Sequence, residues 1–156
     1  MAGGTLDTYL GLNISKTDIT GVNTPAQLVG REDVLLSERE RLFIEQGAPR
    51  RKGVLGFDYA RDAWAGSFKI IHFGPQTLGT RSGTPVFQKY DAKTSADASV
   101  TYSFTNSTKL TVGAANLFDV TPTRQDPLET DNGHISESVQ FGLNGAAYFA
   151  RVHVRF

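Results

Sequence analysis

From the carboxyl end of the chain, every second residue is apolar: Phe156, Val154, Val152, Ala150 and Tyr148. Arg155, His153 and Arg151 stand between them, and Phe149 is the one exception. A period of two puts the apolar set on one face of a strand and the charged set on the other. The same alternation predicts five earlier strands. Leu6 to Ile19 sets Leu6, Leu10, Leu12 and Ile14 against Asp7, Tyr9, Gly11 and Asn13. Gly53 to Arg61 sets Leu55, Phe57 and Tyr59 against Gly56 and Asp58. Trp64 to Phe73 sets Trp64, Phe68 and Ile70 against Ser67 and Lys69, and Ile71 and Phe73 blur the pattern. Ser95 to Phe104 is the cleanest, with Ala96, Ala98, Val100, Tyr102 and Phe104 on one side. Lys109 to Ala115 follows, and Ala147 to Phe156 closes the chain.

Between the strands lie two kinds of connection. Asp62-Ala63 and Thr105-Asn106-Ser107 are tight turns, whereas 21–52, 74–91 and 120–145 are long. The first long connection carries helical spacing over Val34 to Gln46. Ser37 followed by Glu40 makes a capping box, and Gly47 and Pro49 end the helix. A short charged helix in a β chain is expected to be a loop ornament rather than a core element. Long and short connections alternate strictly. In an antiparallel barrel, that places long loops on one side of the membrane and tight turns on the other. Strands of about ten residues suit a tilted bilayer crossing. The expected fold is therefore all-β: an antiparallel up-and-down transmembrane barrel segment of about six strands, open rather than closed, with one short helix in an outer loop.

Composition fits. Of 156 residues, 39% are hydrophobic, and glycine is frequent at 16. A barrel with a polar lumen gives that profile. Sixteen Lys and Arg balance sixteen Asp and Glu, so no net field recruits nucleic acid. There is no cysteine, hence no disulfide framework and no thiolate chemistry. Met1-Ala2-Gly3-Gly4-Thr5 lacks the basic start and apolar middle of a signal peptide. The expectation is a piece of a longer protein.

Three stretches carry a family resemblance. Thr108 to Asp119, ending Asn116-Leu117-Phe118-Asp119, resembles the next-to-last strand of TonB-dependent outer-membrane receptors. Gly142-Leu143-Asn144-Gly145 followed by Ala147 to Val152, with a terminal Phe156, resembles their last strand. The helix Leu36 to Glu45, then Gly47-Ala48-Pro49 and Arg51-Lys52, resembles the Glu/Arg-rich helix that precedes a strand in that family. The resemblance implies a Gram-negative outer-membrane location with a periplasmic C-terminus. It also implies a parent that takes up a scarce ligand such as a ferric siderophore. TonB would supply energy only through a plug domain that is not found in this sequence. The partners it implies are outer-membrane lipid, the rest of the receptor and the barrel-assembly machinery. That machinery would read Tyr148, Val152, Val154 and Phe156 as an assembly signal.

Other constellations carry no chemistry. His72, His134 and His153 have no ligand spacing. Asp126, Glu129, Asp131 and Asn132 crowd one loop but miss the EF-hand pattern. Gly79-Thr80-Arg81-Ser82-Gly83 lacks the Gly-Lys-Ser/Thr of a phosphate loop, and no nucleophile elbow occurs. No enzyme and no cofactor are expected. Arg39, Arg41, Arg50, Arg51 and Lys52 form a basic cluster, open to a solvated face or to an anionic ligand. The rival to the receptor reading is a soluble β-sandwich that binds carbohydrate.

Overall fold

In the computed structural model, residues 3–82, 87–130, 133–136, 139–140 and 142–156 are described. Eight strands and one α-helix follow in order: β1 Thr5–Ile14, α1 Glu38–Gln46, β2 Arg51–Arg61, β3 Trp64–Phe73, β4 Gln76–Gly79, β5 Phe87–Tyr90, β6 Lys93–Ser103, β7 Thr108–Ala115 and β8 Ala147–Val154. Six of them form one antiparallel sheet in the order β1-β2-β3-β6-β7-β8. The sheet is open, and β1 and β8 each pair on one side only. The remaining two, β4 and β5, make a separate hairpin.

The all-β antiparallel expectation holds, with corrections at the boundaries. The first strand stops at Ile14 rather than Ile19, because its register with β2 ends at Arg51; one further bond, from Ser15 N–H to Arg50 O at 2.9 Å, closes the ladder. The last stops at Val154, and Phe156 lies past its end. The helix is split. A 3-10 turn spans Glu32–Val34, and α1 begins only after Ser37. Ser37 Oγ accepts from Glu40 N–H at 3.2 Å, while Glu40 Oε2 accepts from Ser37 N–H at 2.8 Å, so the capping box sets the start. The stretch 74–91, expected to be loop, contains the β4–β5 hairpin.

The register places the two tight turns at one end of the sheet and all three long connections at the other. Those connections form a cap. Leu78 and Tyr90 are its fully buried side chains, with Leu42 of α1 close behind. The helix is thus not an ornament: it packs on β4, and Arg39 Nε reaches Gly79 O at 3.5 Å. The third connection is stitched to the hairpin. Gln88 Nε2 donates to Glu129 O at 2.7 Å, and the Tyr90 hydroxyl accepts from Ser136 N–H at 2.9 Å.

Candidate functional site

Residues opposite one another in an antiparallel pair share a face, and alternation carries that face along each strand. Following the register from β1 to β8 assembles one continuous apolar surface. One row reads Leu10, Leu55, Ile70, Ala96, and another reads Thr8, Phe57, Phe68, Ala98, Ala114, Tyr148. The expected faces of all six strands therefore coincide. Nothing among the described residues stacks on this surface as a second sheet. Leu10 is 67% exposed, Leu12 71% and Tyr148 75%. Toward the tight turns, Trp64 faces Tyr102 in register with ring centroids 4.6 Å apart, and Phe104 stands edge-on to Tyr102 at 5.0 Å. Aromatic rings thus collect at one rim of the surface, and Tyr148 stands near the other.

The opposite face is polar and knit by hydrogen bonds. Lys69 Nζ meets Asp97 Oδ2 at 2.9 Å, and Thr101 and Thr111 pair hydroxyls at 2.8 Å. Asp7 and Asp58 stand directly opposite each other. Like charges so placed repel, and water around them is what screens the repulsion. Phe149, the exception in the last strand, belongs here for a packing reason. It pairs across from Gly113, and its ring covers the space that a side chain at 113 would take. Tyr9 covers Gly56 in the same way. A lone apolar residue on a polar face, with a cross-strand glycine, was a sequence signal that alternation alone could not use.

The residues 116–119 form a clasp where β7 ends. Asn116 (φ 49°) and Asp119 (φ 54°) both adopt left-handed backbone, which Asn and Asp tolerate better than most residues. The Asn116 side chain donates to Val120 O at 2.7 Å and accepts from Val120 N–H at 3.0 Å. Asp97 Oδ1 accepts from Asn116 N–H at 2.9 Å, and Asp119 Oδ1 accepts from Ala146 N–H at 2.9 Å. One motif therefore ties the first half of β6 and the end of β7 to the start of β8. Leu117 N–H donates to Ala96 O at 2.7 Å, while Phe118 is exposed.

No family model, curated protein or solved structure matches the chain.

The four residues expected to act as an assembly signal are all exposed. Tyr148, Val152 and Val154 share the apolar face of β8, a free sheet edge, and Phe156 follows it. The acidic loop residues serve the loop itself. Asp126 Oδ1 caps Leu128 N–H at 2.9 Å, and Glu129 Oε2 accepts from Arg81 and Ser82 N–H at 2.9 and 3.0 Å. Asp131, Asn132 and Gly83 lie outside the described residues. His72 Nδ1 bonds Thr94 Oγ1 at 2.8 Å, and His134 Nδ1 lies 3.1 Å from Gln125 O. Among the described residues, no cluster of three or more His, Asp or Glu side chains converges. No helix among them is long and apolar enough to cross a membrane, which says nothing about crossing by strands.

Proposed function

We propose that this chain is wall from an outer-membrane β-barrel, its apolar face against lipid and its polar face toward a watery lumen. The observation that carries the reading is the continuous apolar surface across all six strands of a sheet, exposed along β1 and β8 and at Trp64, Phe68, Val100 and Val112 between them, with the small Ala96 and Ala114 buried within it. In water such a surface would be an aggregation liability. Against hydrocarbon it is the expected outer side of a barrel. The dimensions agree. Leu6 to Ile14, at about 3.4 Å per residue, runs about 27 Å along the strand. Tilted by about 40°, that is about 21 Å along the bilayer normal, against an apolar band of about 25 Å in such barrels. The opposed Asp7 and Asp58 are supported by a wet lumen. The two unpaired edges favour a larger closed wall, since lipid does not tolerate open backbone.

Within that class we favour a TonB-dependent receptor, on the resemblance of residues 36–52, 108–119 and 142–156 in family order. In that reading the parent imports a scarce ligand such as a ferric siderophore. The cap would be its extracellular side, and the C-terminus would be periplasmic. Flotation of the full chain on a density gradient with phospholipid vesicles tests the membrane assignment. Barrel wall should rise with the vesicles and stay bound in high salt. A chain that remains at the bottom of the gradient, monomeric without detergent, would instead be a soluble β-domain.

A further inference from the structure

Two neighbouring cavities on β2 differ in chemistry. The first, about 290 Å³, lies where β2 and β3 meet the cap, and Gln46, Arg50, Arg51, Gln76 and Thr77 supply its polar lining. No carboxylate lines it, and among the described residues neither Arg50 nor Arg51 has an ion-pair partner. The C-terminal end of α1 lies beside it, but a helix end carries only about half a negative charge against two guanidinium charges. The pocket is therefore net positive and rich in N–H donors. The second cavity, about 150 Å³, is walled by Leu10, Leu55, Ile70 and Gly53, with His72 at one end. Gly53 opens it, since a Cβ there would meet only Leu12 Cδ2, at 3.5 Å.

The two are stacked along one strand. Arg51, Gly53 and Leu55 fall on the same face of β2 by alternation. Arg51 stands about 7 Å further along the strand than Gly53. It pairs with Ile14, the last residue of β1, at the cap-side limit of the apolar surface. A notch for hydrocarbon thus lies directly beneath a basic pocket, in the order of a lipid tail and its headgroup.

We propose that this pair of cavities is a binding site for a phosphate-bearing lipid. Arg50 and Arg51 hold the phosphate, and the Gly53 notch takes the first methylenes of an acyl chain. The assignment rests on the membrane reading above, because the notch opens on the face that reading gives to lipid. A free phosphate would use only the upper half.

The test uses the full chain in a phosphate-free non-ionic detergent, with retained lipid counted by native mass spectrometry. Phosphatidic acid, diacylglycerol with the same chains and inorganic phosphate are the three probes. Phosphatidic acid should be retained in preference to both others. Converting Arg50 and Arg51 together to Gln should weaken phosphatidic acid by about tenfold or more, as the loss of charge-assisted bonds implies, and leave diacylglycerol unchanged. Gly53→Leu should weaken phosphatidic acid and leave inorganic phosphate unchanged. Equal retention of phosphatidic acid and diacylglycerol overturns the headgroup role. Phosphate binding as tightly as the lipid, with no effect of Gly53→Leu, shows a free-anion pocket and overturns the lipid assignment. Flotation of the wild-type chain on neutral vesicles separates the two levels. A chain that floats but retains no phosphatidic acid sinks the site alone, and one that does not float sinks the membrane reading with it.

Discussion

Leu12 on β1 and Leu78 on β4 are the same side chain in opposite situations: the first is 71% exposed and the second 0%. The contrast runs through the molecule. Across the sheet, apolar residues face outward in rows, and order comes from backbone ladders and a polar face tied by Lys69–Asp97 and Thr101–Thr111. In the cap, Leu42, Leu78 and Tyr90 turn inward, with Gln76, Thr80, Gln88 and Ser136 buried beside them. The cap is built as a water-soluble protein is built. On the sheet's apolar face only small side chains such as Ala96 and Ala114 are buried, while Leu6, Leu10, Leu12, Trp64, Tyr148 and Val152 stand exposed, so burial of that face contributes little to its stability. The two regions should therefore respond in opposite ways to substitution and to solvent.

The largest difference is expected for truncation. Leu78→Ala should cost about 2–5 kcal/mol of cap stability, because it empties a closed site. Leu12→Ala, away from any buried feature, should change stability in detergent-free denaturant titrations by no more than about 0.5 kcal/mol. Limited proteolysis of the cap in each variant distinguishes the two. Comparable losses would erase the contrast. The reverse experiment places a charge on the sheet. Leu10→Arg should cost about 2–4 kcal/mol in vesicles if the residue sits near the bilayer midplane. It should leave cap proteolysis unchanged, and urea titration in vesicles measures the cost.

A smaller effect is expected on the polar face. A Cβ at Gly113 would stand 2.7 Å from both Ala98 O and Phe149 Cζ. Gly113→Ala should therefore cost about 1–3 kcal/mol as an overpacking change. Adding Phe149→Ala should recover only part of it, since the carbonyl cannot move aside as a ring can. Full recovery in the double variant would show that the ring alone sets the limit.

The smallest effect belongs to the capping box. Ser37→Ala should cost α1 about 1 kcal/mol, seen as faster amide exchange in its first turn. Glu40 has its pKa lowered, chiefly by the backbone N–H of Ser37 and then by the Ser37 side chain. A lowered folded pKa means that the contribution is complete above the ordinary carboxylate pKa and is lost as pH falls through the folded value. Acidification should therefore release the first turn of α1 in the wild type. In Glu40→Gln that step should be missing from the exchange profile.

The split between sheet and cap also explains what the sequence made legible. Strand faces and loop parity could be read because a period of two persists over seven or more residues in each strand, blurred only by a few residues such as Ile71, Phe73 and Phe149. The capping box was legible because it is local. The β4–β5 hairpin was not. Its strands are four residues each, and its buried face alternates Gln76 with Leu78 and Gln88 with Tyr90, so polarity does not mark the inward side. Gln88 is held by the third connection through Glu129 O, and Gln76 stands beside the end of α1 and the start of β2, long-range placements that no local pattern encodes. The same holds for the clasp. Asn116-Leu117-Phe118-Asp119 could be noticed as a motif, but its bonds to Asp97 and Ala146 come from other strands. Ile14 as the end of β1 likewise depends on where β2 begins.

Trp64, the single tryptophan of the chain, stands exposed on the apolar face at the tight-turn rim, against Tyr102. Its fluorescence in vesicles made with lipids brominated at successive acyl positions measures directly whether that face meets hydrocarbon. Barrel wall predicts a blue-shifted emission quenched most strongly by bromines near the headgroup end, as an interfacial aromatic requires. Emission at the wavelength of water-exposed indole, with no quenching at any depth, would contradict the outward-facing apolar surface on which the account stands.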